Sequence, residues 1–295
     1  MKATIGWLPS TVDVRIRVLA IATLVSQVLI VGSGGAVRLT GSGLGCPTWP
    51  LCTDESLVAT PEMGIHGVIE FGNRLFSIVV GIIALVTIVF LLRLRKERRD
   101  LFVPAILIGA GTVLQGLIGG ISVRVQLDPS VVGLHFLISV VLVVLSTVLL
   151  YRVFAGPRGD TRAAPKWFAI LAYVTSLLVA VTVVVGILTT GSGPHAGDDA
   201  SARNGLDSVV LQHVHSWPAY ALFAATLVLV VGALSIGDRL LRTLTMSLLG
   251  LEVAQIAIGL IQSRLGLPEL LVGIHMVLAC LLAALMATVA LSLRR

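Results

Sequence analysis

Eight apolar runs, separated by short polar stretches, set the plan of the chain. They fall at about 15–36, 63–92, 102–123, 131–151, 167–189, 208–236, 240–262 and 270–293. Each can cover a hydrocarbon core of ~30 Å, which takes about 20 helical residues. A span in lipid must satisfy its own backbone polar groups, so the pattern predicts helices and not strands. The expected fold is an all-α integral membrane protein with eight transmembrane helices.

The runs also repeat. Val132–Phe136 (VGLHF) returns 140 residues later as Val272–Met276 (VGIHM), and Gln115, Gly119 and Arg124 return as Gln255, Gly259 and Arg264 at the same offset. Leu39–Gly43 (LTGSG) returns as Thr189–Gly193 (TTGSG), and Ile69–Arg74 (IEFGNR) aligns loosely with Leu211–Ser216 (LQHVHS). Two duplicated four-helix bundles are therefore expected, residues 1–155 and 156–295, each built around its own site.

Charge supplies the orientation. The pI is about 9.8 with a formal net charge of +6, but the bases lie in clusters between apolar runs and form no nucleic-acid patch. Of the 21 Lys and Arg residues, 16 fall on one side when the loops are numbered alternately, leaving Arg38, Arg74, Arg124, Arg203 and Arg264 on the other. The positive-inside rule then puts both termini in the cytoplasm of a bacterial cell membrane. A cleaved signal peptide is the rival reading of the start. Its removal would take away the first helix, which the fifth matches.

Of three cysteines, Cys46 and Cys52 share the first outer loop, Gly34–Cys52 (GGAVRLTGSGLGCPTWPLC), where an oxidising compartment permits a disulfide of structural or redox use. A lone pair is no zinc site. Cys280, within the last run, reads as a packing residue.

Histidines carry the candidate chemistry, because an ionisable side chain within a membrane span is costly and points to function. Counting from the basic end of each helix, His275 lies 19 residues from Arg294, His135 lies 17 from Arg152, and His215 lies 23 from Asp238. All three sit roughly 25–35 Å up, near the outer face. His215 and His275 can thus face each other across a flat macrocycle and hold its iron. In the first half Asn73 occupies the position of His215, and His66 is seven residues earlier, about 10 Å higher on nearly the same helix face. Either His66 ligates an iron displaced outward, or that iron takes only His135 from the protein.

Together, the Gly34–Cys52 string, Ile69–Arg74, Gly133–Phe136, Thr189–Asp198 (TTGSGPHAGD) and Val272–Met276 resemble the heme A synthase family along nearly the whole chain and in the same order. The resemblance implies an oxidoreductase that converts heme O to heme A by oxidising the C8 ring methyl to a formyl group. It implies a b-type heme on His215 and His275 and a substrate heme in the N-terminal half on His135. The usual family string is Glu-x-x-His-Arg; here Glu70 and Arg74 are kept and the histidine is Asn73.

Glu70, one turn from Asn73, could accept protons from the oxidised methyl or hydrogen-bond a water; the plainer reading is an ion pair with Arg74 or Arg38. Arg38 and Arg74 suit heme propionates, because a guanidinium makes bidentate contacts with carboxylates. His195 is expected to order its outer loop or a propionate, and His213 to hydrogen-bond locally. The implied partners are heme O, a heme O synthase (a farnesyltransferase) supplying it, a membrane quinone or other electron acceptor, and a second copy of the chain. Nucleic acid is not among them. A di-heme electron-transfer protein would use the same histidines without Glu70. A transporter would show inverted repeats, whereas four helices per repeat keep both halves in one orientation.

Overall fold

A computed structural model describes residues 6–196 and 201–294; of the residues used above, Lys2, Gly197, Asp198 and Arg295 lie outside them. The expected all-α fold is present. Eight helices long and apolar enough to cross a membrane are described: α1 Val14–Leu39, α2 Gly64–Leu91, α3 Arg99–Arg124, α4 Pro129–Ala155, α5 Lys166–Ser192, α6 Ser208–Ile236, α7 Arg239–Arg264 and α8 Glu269–Ser292. This is a multi-pass membrane protein.

Four of these helices start on an aspartate whose carboxylate takes the free N–H groups of the first turn. Asp13 caps α1, Asp128 caps α4, Asp207 caps α6 and Asp238 caps α7. Each such cap contributes about 1 kcal/mol and fixes where the helix begins.

Each helix packs on its neighbours in sequence. Beyond that, α1 also meets α4, and α5 also meets α8. Contacts of α8 with α1 and α4, and of α4 with α5, join the two sets. The ends segregate as the alternation of charge requires. At one end Arg98 donates to the carbonyl of Arg152 (2.9 Å), Arg93 donates to that of Leu8 (3.1 Å), and Ala163 N–H bonds to that of Leu293 (3.0 Å). This basic end gathers both described termini. At the other end Arg124 donates to the Trp49 carbonyl (3.1 Å), and the α5–α6 loop reaches the α7–α8 loop.

Apolar packing is weighted toward the basic end. Ile16, Leu91, Leu101, Ile108 and Leu149 fill one cluster; Phe168, Leu229, Leu241, Leu248, Met286 and Val289 fill the other. Outward-facing residues such as Ile78, Ile82, Leu85, Val113 and Val231 are apolar and exposed, as a lipid-facing belt requires.

The duplication also reaches the backbone. The turn after α3 bends through left-handed Gln126 (φ 53°) and Leu127 (φ 61°), and the turn after α7 bends through left-handed Gly266 (φ 76°) and Leu267 (φ 63°), at the 140-residue offset. Leu127 N–H reaches the Ser122 carbonyl at 2.7 Å, and Leu267 N–H reaches that of Gln262 at 2.8 Å. A non-glycine residue at positive φ is uncommon, so the same strained turn at matched positions is a shared device and not coincidence.

Candidate functional site

His215 of α6 and His275 of α8 face each other with ring centroids 6.4 Å apart and planes at 72°, the one pair of facing imidazoles among the described residues. That separation leaves room for one metal ion with a bond of about 2 Å to each ring. Gln255 of α7 donates to the His275 carbonyl at 3.0 Å. Two glycines make the space. A Cβ on Gly259 would stand 3.2 Å from the His275 ring, and one on Gly186 would stand 2.9 Å from the His215 ring.

The N-terminal half repeats half of this frame. Gln115 of α3 donates to the His135 carbonyl at 2.9 Å and also bonds Ser139, while Gly119 faces the His135 ring at 3.4 Å. At the position aligned with His215 stands Asn73, whose carboxamide oxygen accepts the Ser33 hydroxyl at 2.7 Å. His66 lies in the first turn of α2, exposed, with Nδ1 bonded to the Ser42 hydroxyl at 2.9 Å. The backbone of Gly45 lies against its carbonyl, where a Cβ would collide at 2.3 Å.

His135, His215 and His275 each keep a buried Nδ1 with no hydrogen-bond partner in the protein. Buried polar groups are normally satisfied, so these rings are set up for something the chain does not supply. Among the described residues no three His, Cys, Asp or Glu side chains converge on one point. A metal held by two imidazoles, its other positions filled by a macrocycle, matches this donor set, and the residues therefore fit a heme.

Glu70 is 5% exposed. Its Oε1 pairs with Arg74, and its Oε2 accepts the Cys46 N–H at 2.6 Å. Arg74 spends its remaining donors on the carbonyls of Thr48 (2.9 Å), Leu51 (3.1 Å) and Cys46 (3.0 Å). Cys46 and Cys52 form a disulfide, and both are fully buried. The plainer reading of Glu70 is therefore realised, with Arg74 and not Arg38 as the partner. No Arg74 donor remains free for a propionate. Arg38, at the disulfide end of α1, keeps a buried Nε with no partner, and its neighbours Gly35 and Leu39 touch Met276 and Gly273 of α8. His195 bonds the Leu267 carbonyl at 2.7 Å and so orders the outer loops. His213 is exposed and makes no hydrogen bond among the described residues, so the expected local bond is absent. Cys280 is buried and free, as a packing residue should be.

One buried acid escaped the sequence reading. Glu252 of α7 is 3% exposed; its Oε1 accepts the Thr226 hydroxyl at 2.7 Å, and its Oε2 has no partner. The signal was a single acidic residue in the middle of an apolar run, in Leu248–Ala257.

The class defined by fold and site is a multi-pass helical membrane protein with a pair of facing imidazoles. Within that class the chain belongs to the cytochrome oxidase assembly protein family, whose model matches residues 17–289. It is 31% identical over 157 residues to the heme A synthase of Alkalihalophilus pseudofirmus, covering 52% of this chain and 50% of that protein. Identity is 28% over 178 residues to that of Halalkalibacterium halodurans (60% and 58% covered) and 34% over 140 residues to that of Geobacillus kaustophilus (45% and 43%). The aligned region spans about half the length of these relatives.

Proposed function

We propose that the chain is a heme A synthase, oxidising the C8 methyl of heme O to the formyl group of heme A. Supporting it are the family membership and the heme A synthases among its relatives. The observation that carries the reading is the asymmetry between two copies of one frame. Gln255 and Gly259 back a histidine that faces a second imidazole, whereas Gln115 and Gly119 back one for which Asn73 stands at the aligned position. The two imidazoles would hold an iron for electron transfer, whereas the lone histidine would leave its iron able to react.

In this reading residues 156–295 hold a b-type heme through His215 and His275, which when bound supplies one-electron transfer. Residues 1–155 bind heme O through His135, with His66 or no protein group as the second ligand. Arg38, with its unsatisfied buried Nε, offers a cation to a propionate. Turning a methyl into a formyl group with an oxygen taken from water releases protons and electrons together, so protons must leave the site as the electrons pass to the acceptor. Glu70 is the ionisable group on the Asn73 side of α2, and taking up a proton requires it to loosen its bond to Arg74 or to Cys46 N–H. Arg74 orients Glu70 and roofs the site through the disulfide loop.

The basic end faces the cytoplasm, placing both heme sites near the outer surface. Heme O arrives from a heme O synthase, electrons leave to a quinone or other acceptor, and a homo-oligomer is compatible with the exposed apolar belt. A di-heme electron carrier fits less well, because Asn73 breaks the second histidine pair. The test is expression in a bacterium lacking heme A, followed by chromatography of extracted hemes. Heme A in place of heme O supports the function; heme O alone refutes it.

A further inference from the structure

The proposed chemistry leaves Glu252 unused. It lies at the centre of α7, thirteen residues from Arg239 and twelve from Arg264. The ion pairs among the described residues are Asp13–Arg15, Glu70–Arg74 and Asp100–Arg98, and none includes it. A bare carboxylate midway through hydrocarbon is costly, and here Thr226 holds one oxygen while the other has no partner, so a change of charge nearby can move a proton onto or off the group.

Its position relates it to the imidazole pair. Glu252, Gln255 and Gly259 follow at spacings of three and four and share one face of α7. That face grips the His275 carbonyl and abuts its ring. Thr226 is eleven residues from His215, three turns along the same face of α6. The carboxyl therefore lies inside the C-terminal helices, about 10–16 Å from the histidines toward the basic end. The equivalent N-terminal positions carry no acid: Thr112, which accepts the Gln27 amide at 3.2 Å, stands for Glu252, and Ala84 stands for Thr226. At this mid-helix position an acid thus accompanies only the half with two facing imidazoles.

We propose that Glu252 is a proton-carrying group coupled to the redox state of an iron held between His215 and His275, an inference that rests on the heme reading above. When one electron from an external donor reduces ferric iron to ferrous, Glu252 takes up one proton from water; when the electron leaves, the proton returns to water. No bond to the iron forms or breaks. A negative charge about 10–16 Å from the iron in a low-dielectric interior favours the ferric state, and neutralising it favours the ferrous state. The other titratable groups on the helices packed against α7 are His213, His215 and Tyr220 of α6, and Glu269, His275 and Cys280 of α8; Arg239 and Arg242 lie near the basic end of α7 itself and Arg264 at its other end. His213 and Tyr220 are exposed, and Cys280 is buried and uncharged as a thiol.

The test is a redox titration of the low-spin heme in the purified holoprotein across a range of pH, for the native chain, Glu252→Gln and Thr226→Val. In the native protein the reduction equilibrium should fall with rising pH, approaching tenfold per pH unit at its steepest, or 59 mV for one electron. Glu252→Gln should flatten this slope, leaving only what the heme propionates contribute. Thr226→Val removes a donor to the carboxylate and should move the sloping window to higher pH. A native slope unchanged in Glu252→Gln, or no slope in the native protein, overturns the proposal with the heme site intact. If Glu252→Gln does not hold heme, the Thr226→Val window decides, and an unmoved window counts against the proposal. A native protein with no heme on His215 and His275 would fail the heme reading itself, and the coupling with it.

Discussion

Glu70 and Arg74 pair across one turn of α2, and together they hold four backbone groups of the disulfide loop: the N–H and carbonyl of Cys46 and the carbonyls of Thr48 and Leu51. The candidate proton acceptor and the roof of the site are thus one unit. Separating their two roles needs substitutions that keep shape but change charge.

Glu70→Gln preserves an acceptor for Arg74 and Cys46 but cannot take up a proton as a carboxylate does. The low-spin spectrum of the C-terminal heme should stay intact while heme O or its hydroxylated intermediate accumulates in extracts. Full heme A production by this variant would refute the role of Glu70 in oxidation. Arg74→Ala should cost about 3 kcal/mol, the scale for breaking a buried pair, and expose the disulfide to reductant. Disulfide reduction at the native rate would count against the clamp.

The imidazole pair makes a spectroscopic prediction. Replacing His215 or His275 by Ala should abolish the low-spin heme signal, and Met should convert it, because axial ligands set the electronic state of the iron. Both variants retaining the native spectrum would rule out this ligand pair.

Glycines predict a graded effect. A Cβ at Gly186 meets the His215 ring at 2.9 Å, and one at Gly119 meets the His135 ring at 3.4 Å, an ordinary contact. Gly186→Ala should displace the His215 ring, with an overpacking cost of about 1–3 kcal/mol and reduced C-terminal heme occupancy. Gly119→Ala should be close to neutral. Equal occupancy in the two variants would mean that these approaches do not govern the sites.

Orientation is checked with a membrane-impermeant thiol reagent on intact cells. All three cysteines are buried, but only Cys46 and Cys52 lie in a loop outside the spans; once reduction loosens that loop they should be labelled, and Cys280, inside α8, should not. Labelling that appears only when the cytoplasmic face is opened would invert the topology.

Much of this was legible in the residues alone. Apolar runs delimited all eight helices to within a few residues, because lipid leaves a backbone no alternative to helix. Aspartates and charged turns set the helix ends, where the structure departs from the apolar runs by at most four residues. His215 and His275 could be paired by depth, since helical rise converts sequence distance into height. Contacts between loops and helices could not be read this way. Nothing in the spacing of Arg74 and Cys46 says that the guanidinium reaches back to three carbonyls, because the path of a loop has no periodicity. Glu252 was missed for a related reason: its partner, Thr226, lies on another helix, and only packing brings them together.

The second ligand of the substrate heme remains to be assigned, and Asn73 and His66 give opposite predictions. Asn73 has its oxygen occupied by Ser33 and is level with His135, whereas His66 lies about 10 Å beyond it in the first turn of α2. His66 is exposed, its Nδ1 bonds Ser42, and Gly45 packs on its backbone, all of which tie it to the outer loop. His66→Ala should therefore lower the stability of the loop while heme A formation continues. Asn73→His should restore the family's histidine and add a second low-spin heme signal, because axial ligands set the electronic state of the iron. Loss of heme A formation in His66→Ala, with the C-terminal heme spectrum unchanged, would place the second ligand at His66. An added low-spin signal in Asn73→His, with heme A still formed by His66→Ala, would place the open coordination position opposite His135.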